Sequence, residues 1–344
     1  MLRRGAARLT AAVLVAVTLG ALAVSCDVAE DAPRLPFQET ALERRSVWID
    51  MDPAIGEPLR DPDDGWAFVH ARAAMGTRLV GLSVGYGNID DLARQEAITG
   101  ELQSLFSPPA LPVYRGAERP QDLGRDTAAS RAIAEQLGYE RLTILALGRL
   151  TTIARVITQH PELRSRIDEV VAIGGRRLES EPGIGKDARV LPDSNFAADI
   201  DAVRAILDSD IPLTLAPTDL ALHVVIEQAD LDALDAAGGA GRFLAQRSRD
   251  WLEIWTAVLG ARGFSPFDAL ATLVVASPEK VSCEVLPAAI VDLPDASFRG
   301  TGKPVPRLAV SAALHSPHRV KFCGRASPDA KAAILSVLPR ATPP

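Results

Sequence analysis

Short apolar runs alternate with longer amphipathic segments along residues 46–340. An apolar run bounded by Gly, Pro or Asp is typical of a buried strand, and apolar residues at positions i, i+3, i+4 and i+7 are typical of a helix that packs on one face. Strand, turn and helix follow one another without a Gly/Ser-rich linker and without an internal repeat. This order predicts one α/β domain with a mostly parallel central sheet and flanking helices.

The pattern also gives the expected positions of the elements. We predict a strand that begins at Val47, a short strand and turn at 111–117, and strands over 79–85, 142–147, 170–173, 211–216, 283–292 and 308–314. We predict helices over 66–75, 196–207, 226–262, 268–275 and 328–338, a helix capped by Asp90 with apolar residues as far as Leu105, and a helix that ends at His160. Residues 176–192 are expected to form a charged, Gly-containing loop.

Five aspartates lie at the junction of the first strand and the first helix: Asp50, Asp52, Asp61, Asp63 and Asp64. So many carboxylates at the carboxyl end of a strand repel one another, and a bound hard cation is the usual remedy. Asp63 and Asp64 also come just before the helix, where the positive end of the helix dipole favours negative charge. The alternative is a solvated acidic loop in which Asp64 only caps the helix.

The same stretch resembles the amino-terminal signature of a known enzyme family. Asp50-x-Asp52-Pro53 followed by Asp63-Asp64 is similar to the Asp-x-Asp-Pro-Gly-x-Asp-Asp pattern of the inosine–uridine-preferring nucleoside hydrolases. Eleven positions separate Asp52 from Asp63, so the turn is longer than in the family pattern. Further similar segments follow in the family's order, at residues 83–88, 111–117, 148–154, 174–175, 193–199 and 264–270. The resemblance covers residues 46–340 and implies an open sheet of the Rossmann-like kind.

The resemblance implies a metal site made of hard oxygen donors, namely the carboxylates of Asp52, Asp64 and Asp268 and the backbone carbonyl of Thr151. Such a donor set favours calcium, with magnesium less expected. Asp52 would also be the catalytic base that takes a proton from the attacking water. Four side chains would bind the sugar: Asp63, Asn88, Asp193 and Asn195. The implied activity is calcium-dependent hydrolysis of the N-glycosidic bond of ribonucleosides, which gives free base and ribose.

Several of these residues also have a purely structural interpretation. Asn88 could only close the turn after its strand, and Thr151 and Asp193 could only cap the helices that follow them. Trp251 and Trp255 are four positions apart on a predicted helix, which is typical of core packing. A lid over the base is the alternative for this tryptophan pair.

Three departures from the family pattern keep other functions open. The turn before Asp63 is longer, residues 176–192 contain no Asn, and Phe267 stands where many members place a His that is proposed to protonate the leaving base. These departures favour two alternatives, a catalytically weak or inactive exported lipoprotein that binds ribose or nucleosides, and a hydrolase of another N-ribosyl compound. The net charge of −7 gives no electrostatic footprint for nucleic acid, so we expect a small-molecule partner.

Residues 1–26 have the pattern of a secretory signal peptide, because arginines precede an apolar segment at 9–24. Cys26 follows small residues, as in a bacterial lipoprotein cleavage site, and we expect its lipidation. Ordinary cleavage and an uncleaved anchor are the alternatives. Residues 27–45 are polar and are expected to be a flexible tether to the membrane. The predicted location is the cell envelope, on the periplasmic or extracellular face.

Besides Cys26, the chain contains two cysteines, Cys283 and Cys323. In an oxidising compartment these two could pair as a disulfide, and two separate buried thiols are the alternative. The resemblance also suggests a homo-oligomer, because the family often forms oligomers through this fold.

Overall fold

A computed structural model describes residues 45–75, 78–106, 110–298 and 300–338. The predicted signal peptide, the lipidation site Cys26 and the tether as far as residue 44 lie outside the described residues, so all three stay predictions. Within the described residues, no helix combines the length and the apolar character that a membrane crossing requires.

The strands are β1 (Ser46–Met51), β2 (Leu79–Val84), β3 (Val113–Arg115), β4 (Leu142–Ala146), β5 (Ile167–Ile173), β6 (Arg176–Arg177), β7 (Gly183–Ile184), β8 (Arg189–Val190), β9 (Leu213–Ala216), β10 (Val281–Pro294), β11 (Pro304–Val310) and β12 (Arg319–Ala326). The helices are α1 (Asp63–Met75), α2 (Leu92–Gln103), α3 (Ala128–Tyr139), α4 (Thr151–Gln159), α5 (Ile200–Leu207), α6 (Thr218–Ala221), α7 (Gln228–Ala237), α8 (Gly239–Ala257), α9 (Phe267–Ala276) and α10 (Ala330–Val337).

One large sheet organises the described residues, with the strand order β3-β2-β1-β4-β5-β9-β12-β10-β11-β6. All neighbouring strands from β3 to β12 in this order are parallel. Strand β10 is antiparallel to both β12 and β11, and β6 pairs with β11 in parallel. The prediction of a mostly parallel central sheet with flanking helices is confirmed, and the sheet has an antiparallel end.

Strand β1 lies inside this sheet, and helices cover both of its faces. Val47, Ile49 and Met51 belong to the hydrophobic core on one face, and Trp48 belongs to the core on the other. Because both faces are buried, apolar residues follow one another from Val47 to Ile49 instead of alternating with polar ones. The carboxyl ends of the parallel strands meet at one edge of the sheet, which is where ligands bind in open α/β folds.

Several predicted helices have different boundaries in the structure, and α2 is capped by Asp91 instead of the predicted Asp90. The segment predicted as one helix over 226–262 is divided into α7 and α8, because Gly238 and Gly239 have φ angles of 75° and 55°, a left-handed conformation that ends a helix. The helix predicted over 196–207 begins at Ile200, because Asp193 holds the preceding residues in a turn by accepting the backbone N–H of Phe196 at 3.0 Å.

The strands near the carboxyl terminus also differ from the prediction. Strand β12 is not predicted by the apolar pattern, yet it fills the place between β9 and β10. The strand expected over 308–314 ends at Val310, and the expected loop at 176–192 contains the short strands β6, β7 and β8. Strand β12 pairs with β9 and β10, and β6 pairs with β11. These partners are distant in sequence, so local periodicity does not reveal the pairing.

Strands β10 and β12 also carry the two cysteines of the domain. Cys283 and Cys323 form a disulfide between these antiparallel neighbours. The paired alternative is therefore the one that the structure contains, and it links the antiparallel end of the sheet to the strand that joins the parallel part.

Candidate active site

A cluster of buried carboxylates lies where β1 ends and where α1 and α9 begin. Carboxylate oxygens of Asp63, Asp64 and Asp268 all lie within 4.8 Å of one another. Helices α1 and α9 pack closely against each other, which brings Asp268 to the acidic stretch across some two hundred positions of sequence. These three side chains therefore offer several oxygen ligands to one small volume.

Asp52 joins this cluster through Asp64 and Asn88. The backbone N–H of Asp52 donates to Asp64 Oδ1 at 3.0 Å, and the backbone N–H of Asn88 donates to Asp52 Oδ2 at 2.8 Å. The Asn88 amide also donates to Asp64 Oδ2 at 3.3 Å. A Cβ at Gly87 would lie 1.5 Å from Asp52 Oδ2, so only glycine leaves room for this carboxylate.

The long turn between β1 and α1 delivers its aspartates to the cluster by close packing. Ile55 is buried, and a Cβ at Gly65 would lie 2.7 Å from its Cδ1 atom, so the turn folds directly onto the first turn of α1. Asp61 Oδ1 accepts the backbone N–H of Asp63 at 3.3 Å. Helix α1 begins at Asp63, so Asp64 lies inside the helix and the capping alternative for Asp64 is wrong.

The electrostatics of the cluster favour a bound cation. Burial, and then repulsion from Asp63, raises the pKa of Asp52 to about 7. Burial raises the pKa of Asp63 to about 6, and burial with carboxylate repulsion raises the pKa values of Asp64 and Asp268 well above the ordinary range. Carboxylate oxygens are the ligands that calcium and magnesium prefer, and a divalent cation would offset this repulsion. The cluster therefore fits a divalent metal ion.

A cavity of about 620 Å³ opens beside the cluster. Asp52, Asp63 and Asp268 line it near the sheet, and aromatic side chains form another part of its wall: Trp251, Trp255, Phe267 and Phe298. The rings of Trp255 and Phe267 pack with centroids 6.2 Å apart. Core packing is confirmed for Trp255, which is buried, and both tryptophans border the cavity, so the lid stays a prediction.

The predicted sugar-binding residues also lie at this cavity. Asn88, Asp193 and Asn195 line it together with Asp63. The Asn195 amide donates to the carbonyl oxygen of Leu147 at 2.8 Å. Asp193 accepts backbone N–H groups from Phe196 at 3.0 Å and from Gly175 at 3.1 Å. Asp193 therefore fixes a turn, and its predicted role as the N-cap of a helix that begins at Phe196 is wrong.

The hydroxyl of Thr151 is hydrogen-bonded to residues outside the carboxylate cluster. It donates to Asp199 Oδ2 at 2.8 Å and accepts a hydrogen bond from the Tyr86 hydroxyl at 3.0 Å. Thr151 is the first residue of α4 and is not among the described residues that line the cavity. The N-cap of α4 is Leu150, so the capping alternative for Thr151 is wrong as well. The threonine instead belongs to a buried polar network behind the cavity.

The structure adds lining residues that the sequence interpretation does not name as candidates. Leu147 follows the carboxyl end of β4, and its carbonyl contacts Asn195 at the cavity. Asp61 and Asp219 also line the cavity. The rule that ligands sit at the carboxyl ends of parallel strands could have indicated Leu147 and Asp219, which follow β4 and β9.

Solved structures of nucleoside hydrolases share this fold. The chain matches a purine-preferring ribonucleoside hydrolase from Gardnerella vaginalis with a TM-score of 0.67 and 18% identity, covering 86% of this chain and 98% of the other. It matches an inosine-uridine preferring nucleoside hydrolase from Bacillus anthracis with a TM-score of 0.64 and 14% identity, covering 86% of this chain and 100% of the other. These matches show that the chain has the fold of solved nucleoside hydrolases.

The chain belongs to the inosine-uridine preferring nucleoside hydrolase family, whose model matches residues 47–322. Among curated relatives, it is 27% identical over 159 residues to the pyrimidine-specific ribonucleoside hydrolase RihA of Escherichia coli O9:H4 (strain HS). That match spans 46% of this chain and 48% of the relative, or about half the length of each protein.

Proposed function

We propose that this protein hydrolyses the N-glycosidic bond of ribonucleosides, with calcium held by the carboxylate cluster. The observation that carries the proposal is the convergence of Asp63, Asp64 and Asp268 within 4.8 Å, with Asp52 hydrogen-bonded to the same cluster. Membership of the nucleoside hydrolase family supports the same reaction.

The donor set limits which ion is expected. The side chains of the cluster supply carboxylate oxygens, and Leu147 offers a backbone carbonyl at the same cavity. With hard oxygen donors and no thiolate or imidazole, calcium is favoured and magnesium is the second choice. When bound, the ion would act as a Lewis acid and stabilise the negative charge that develops on oxygen during the reaction.

In this proposal Asp52 is the base. Its pKa of about 7 in the metal-free site would fall beside a cation, so it could accept a proton from a water that attacks the anomeric carbon. Asp63, Asn88 and Asn195 would position the sugar hydroxyls, which lowers the entropic cost of reaching a transition state with oxocarbenium character. The aromatic wall would hold the nucleobase of the substrate against Trp255 and Phe267.

A turnover assay tests the proposal. Mature protein with calcium is given inosine, uridine, cytidine, adenosine and p-nitrophenyl β-riboside, and release of ribose is measured. We expect turnover by the wild type, a loss of at least about 10²-fold in Asp52→Ala, which lacks the base, and no change in Asp250→Asn, an exposed control.

The other outcomes separate the alternatives. Saturable binding of nucleosides without ribose release by the wild type would support a binding protein instead. Turnover confined to an N-ribosyl compound that is not a nucleoside would support a hydrolase of such a compound. Equal turnover in Asp52→Ala and the wild type would contradict the assignment of the base.

We also propose that the protein is exported and lipid-anchored through Cys26. The signal-like pattern of residues 1–26 supports this location. The disulfide between Cys283 and Cys323 is a second support, because disulfides persist mainly in oxidising compartments. In the cell envelope the enzyme would act on nucleosides outside the cytoplasm.

A further inference from the structure

Asp219 is a carboxyl group of the cavity that the proposed metal and sugar sites do not use. Asp219 lies in α6, directly after β9, and lines the cavity. Its Oδ2 atom is buried and has no hydrogen-bond partner among the described residues. Leaving a buried polar atom unpaired costs free energy, so such an atom in a native structure calls for a functional reason.

The other acids that line the cavity outside the metal cluster are already paired. Glu181 forms an ion pair with Arg176, and Asp193 accepts a backbone N–H at each of its two oxygens. No histidine lines the cavity in the part of the chain that the structure describes. Asp219 is therefore the lining acid whose carboxyl is least committed to the protein itself.

We propose that Asp219 is the general acid of this site, which hydrogen-bonds the leaving base and transfers a proton to it as the N-glycosidic bond breaks. The inference rests on the proposed function. It assigns a residue to the protonation of the leaving base. Phe267 cannot carry out this step, because its hydrocarbon ring has no proton to give.

The surroundings of Asp219 keep its carboxyl protonated to higher pH than an ordinary aspartate. Burial raises the pKa of Asp219, while a hydrogen bond from its own backbone N–H and the neighbouring Arg177, Arg176 and His223 lower it by less. Helix α6 also packs on α9, β9 and β12. Among the described residues of these three elements, no charged group is a main cause of the pKa shift of Asp219. A general acid must hold its proton near the working pH, and burial shifts the pKa of Asp219 in that direction.

The proton and electron balance needs water as the only co-reactant. Water gives its oxygen to the anomeric carbon and one proton to Asp52, while the electron pair of the breaking carbon–nitrogen bond passes to the base. The base takes the proton of Asp219 and leaves as a neutral molecule. Asp52 then releases its proton to solvent and Asp219 regains one from solvent, which returns both residues to their starting states.

The test compares a leaving group that needs a proton with one that does not. The bases of inosine and uridine are poor leaving groups unless they are protonated, whereas nitrophenolate leaves readily as an anion. In Asp219→Asn we expect kcat to fall about 10²–10⁴-fold on the nucleosides and to stay within about threefold on p-nitrophenyl β-riboside. Asp250→Asn is the matched control, because it makes the same substitution at an exposed position and should leave the ratio of the two activities unchanged.

A second measurement uses the wild type alone, so it does not depend on how the variant folds. The kcat/KM for inosine should fall on the alkaline side as Asp219 loses its proton, and the kcat/KM for p-nitrophenyl β-riboside should lack this fall. Asp219→Asn should remove the alkaline fall from whatever nucleoside activity remains.

Two results would overturn the inference. An equal loss on both substrates in Asp219→Asn, or an alkaline fall shared by both substrates in the wild type, would assign Asp219 a structural role while the proposed function stands. Absence of turnover of every riboside by the wild type with calcium would overturn the proposed function together with this inference.

Discussion

Removing the metal should destabilise the protein, and the effect should depend on pH. In the metal-free protein the pKa of Asp52 is raised from 3.8 to about 7. Its folded state therefore binds a proton more tightly than its unfolded state, so stability is unaffected below about pH 4 and is lost as the pH rises towards 7. One pKa unit corresponds to about 1.4 kcal/mol, so Asp52 alone makes the metal-free protein about 3 kcal/mol less stable at pH 8 than at pH 5.

Calcium should reverse this loss, because in the proposed site it would bind the ionised carboxylates. Calcium at a thousand times its dissociation constant stabilises the folded state by about 4 kcal/mol. At about 2 °C per kcal/mol for a domain of this size, we expect Tm to rise by about 8 °C at pH 8. At pH 5 the ion must first displace the proton of Asp52, which leaves a gain of about 3 °C.

Thermal unfolding followed by circular dichroism, in calcium and in EDTA at both pH values, measures these shifts. Asp268→Asn removes one buried carboxylate, so this variant should unfold at a higher temperature than the wild type in EDTA and should lose most of the gain from calcium. Exposed Asp250→Asn should behave as the wild type. A calcium gain that is equal at pH 5 and pH 8, or a gain that Asp268→Asn retains, would refute the reasoning.

Three further changes have defined outcomes. Gly87→Ala places a Cβ 1.5 Å from Asp52 Oδ2, so kcat/KM on nucleosides should fall about 10²-fold with little change in Tm, and unchanged kinetics would contradict the site geometry. Replacing both Cys283 and Cys323 by serine opens a loop of 40 positions and should cost about 4 kcal/mol, read as a Tm lower by about 8 °C, whereas an unchanged Tm would show that the disulfide contributes nothing. Cys26→Ser should move the expressed protein from the membrane fraction to the soluble fraction, and retention in the membrane fraction would rule out lipidation as the anchor.

Local patterning could predict the parallel part of the fold because its strands are buried on both faces. Val47, Trp48 and Ile49 are consecutive apolar residues, and they lie in β1 between two parallel neighbours. Strand β12 could not be found in this way, since its alternating exposure depends on β9 and β10, which lie far from it in sequence. The division at Gly238 and Gly239 could have been anticipated, because paired glycines commonly end helices.

The acidic part of the site was accessible from sequence, and the rest of it only in part. Asp52 and Asp64 stand in one local motif, whereas Asp268 reaches them because α9 packs on α1. The resemblance implies the carbonyl of Thr151 as a metal ligand. The residue that the end of β4 brings to the cavity is Leu147, four positions earlier. The unpaired oxygen of Asp219 depends on three-dimensional burial, which no spacing of residues along the chain reveals.

The central claim is that buried carboxylates of α1 and α9 hold one divalent ion. The calcium content of protein equilibrated with calcium and passed through a desalting column, measured by mass spectrometry per mole of chain, tests it most directly. We predict one calcium per chain in the wild type and close to none in the double variant Asp64→Asn, Asp268→Asn, with the fold retained by circular dichroism. A wild type without calcium, or a folded double variant that keeps its full calcium content, would contradict the account.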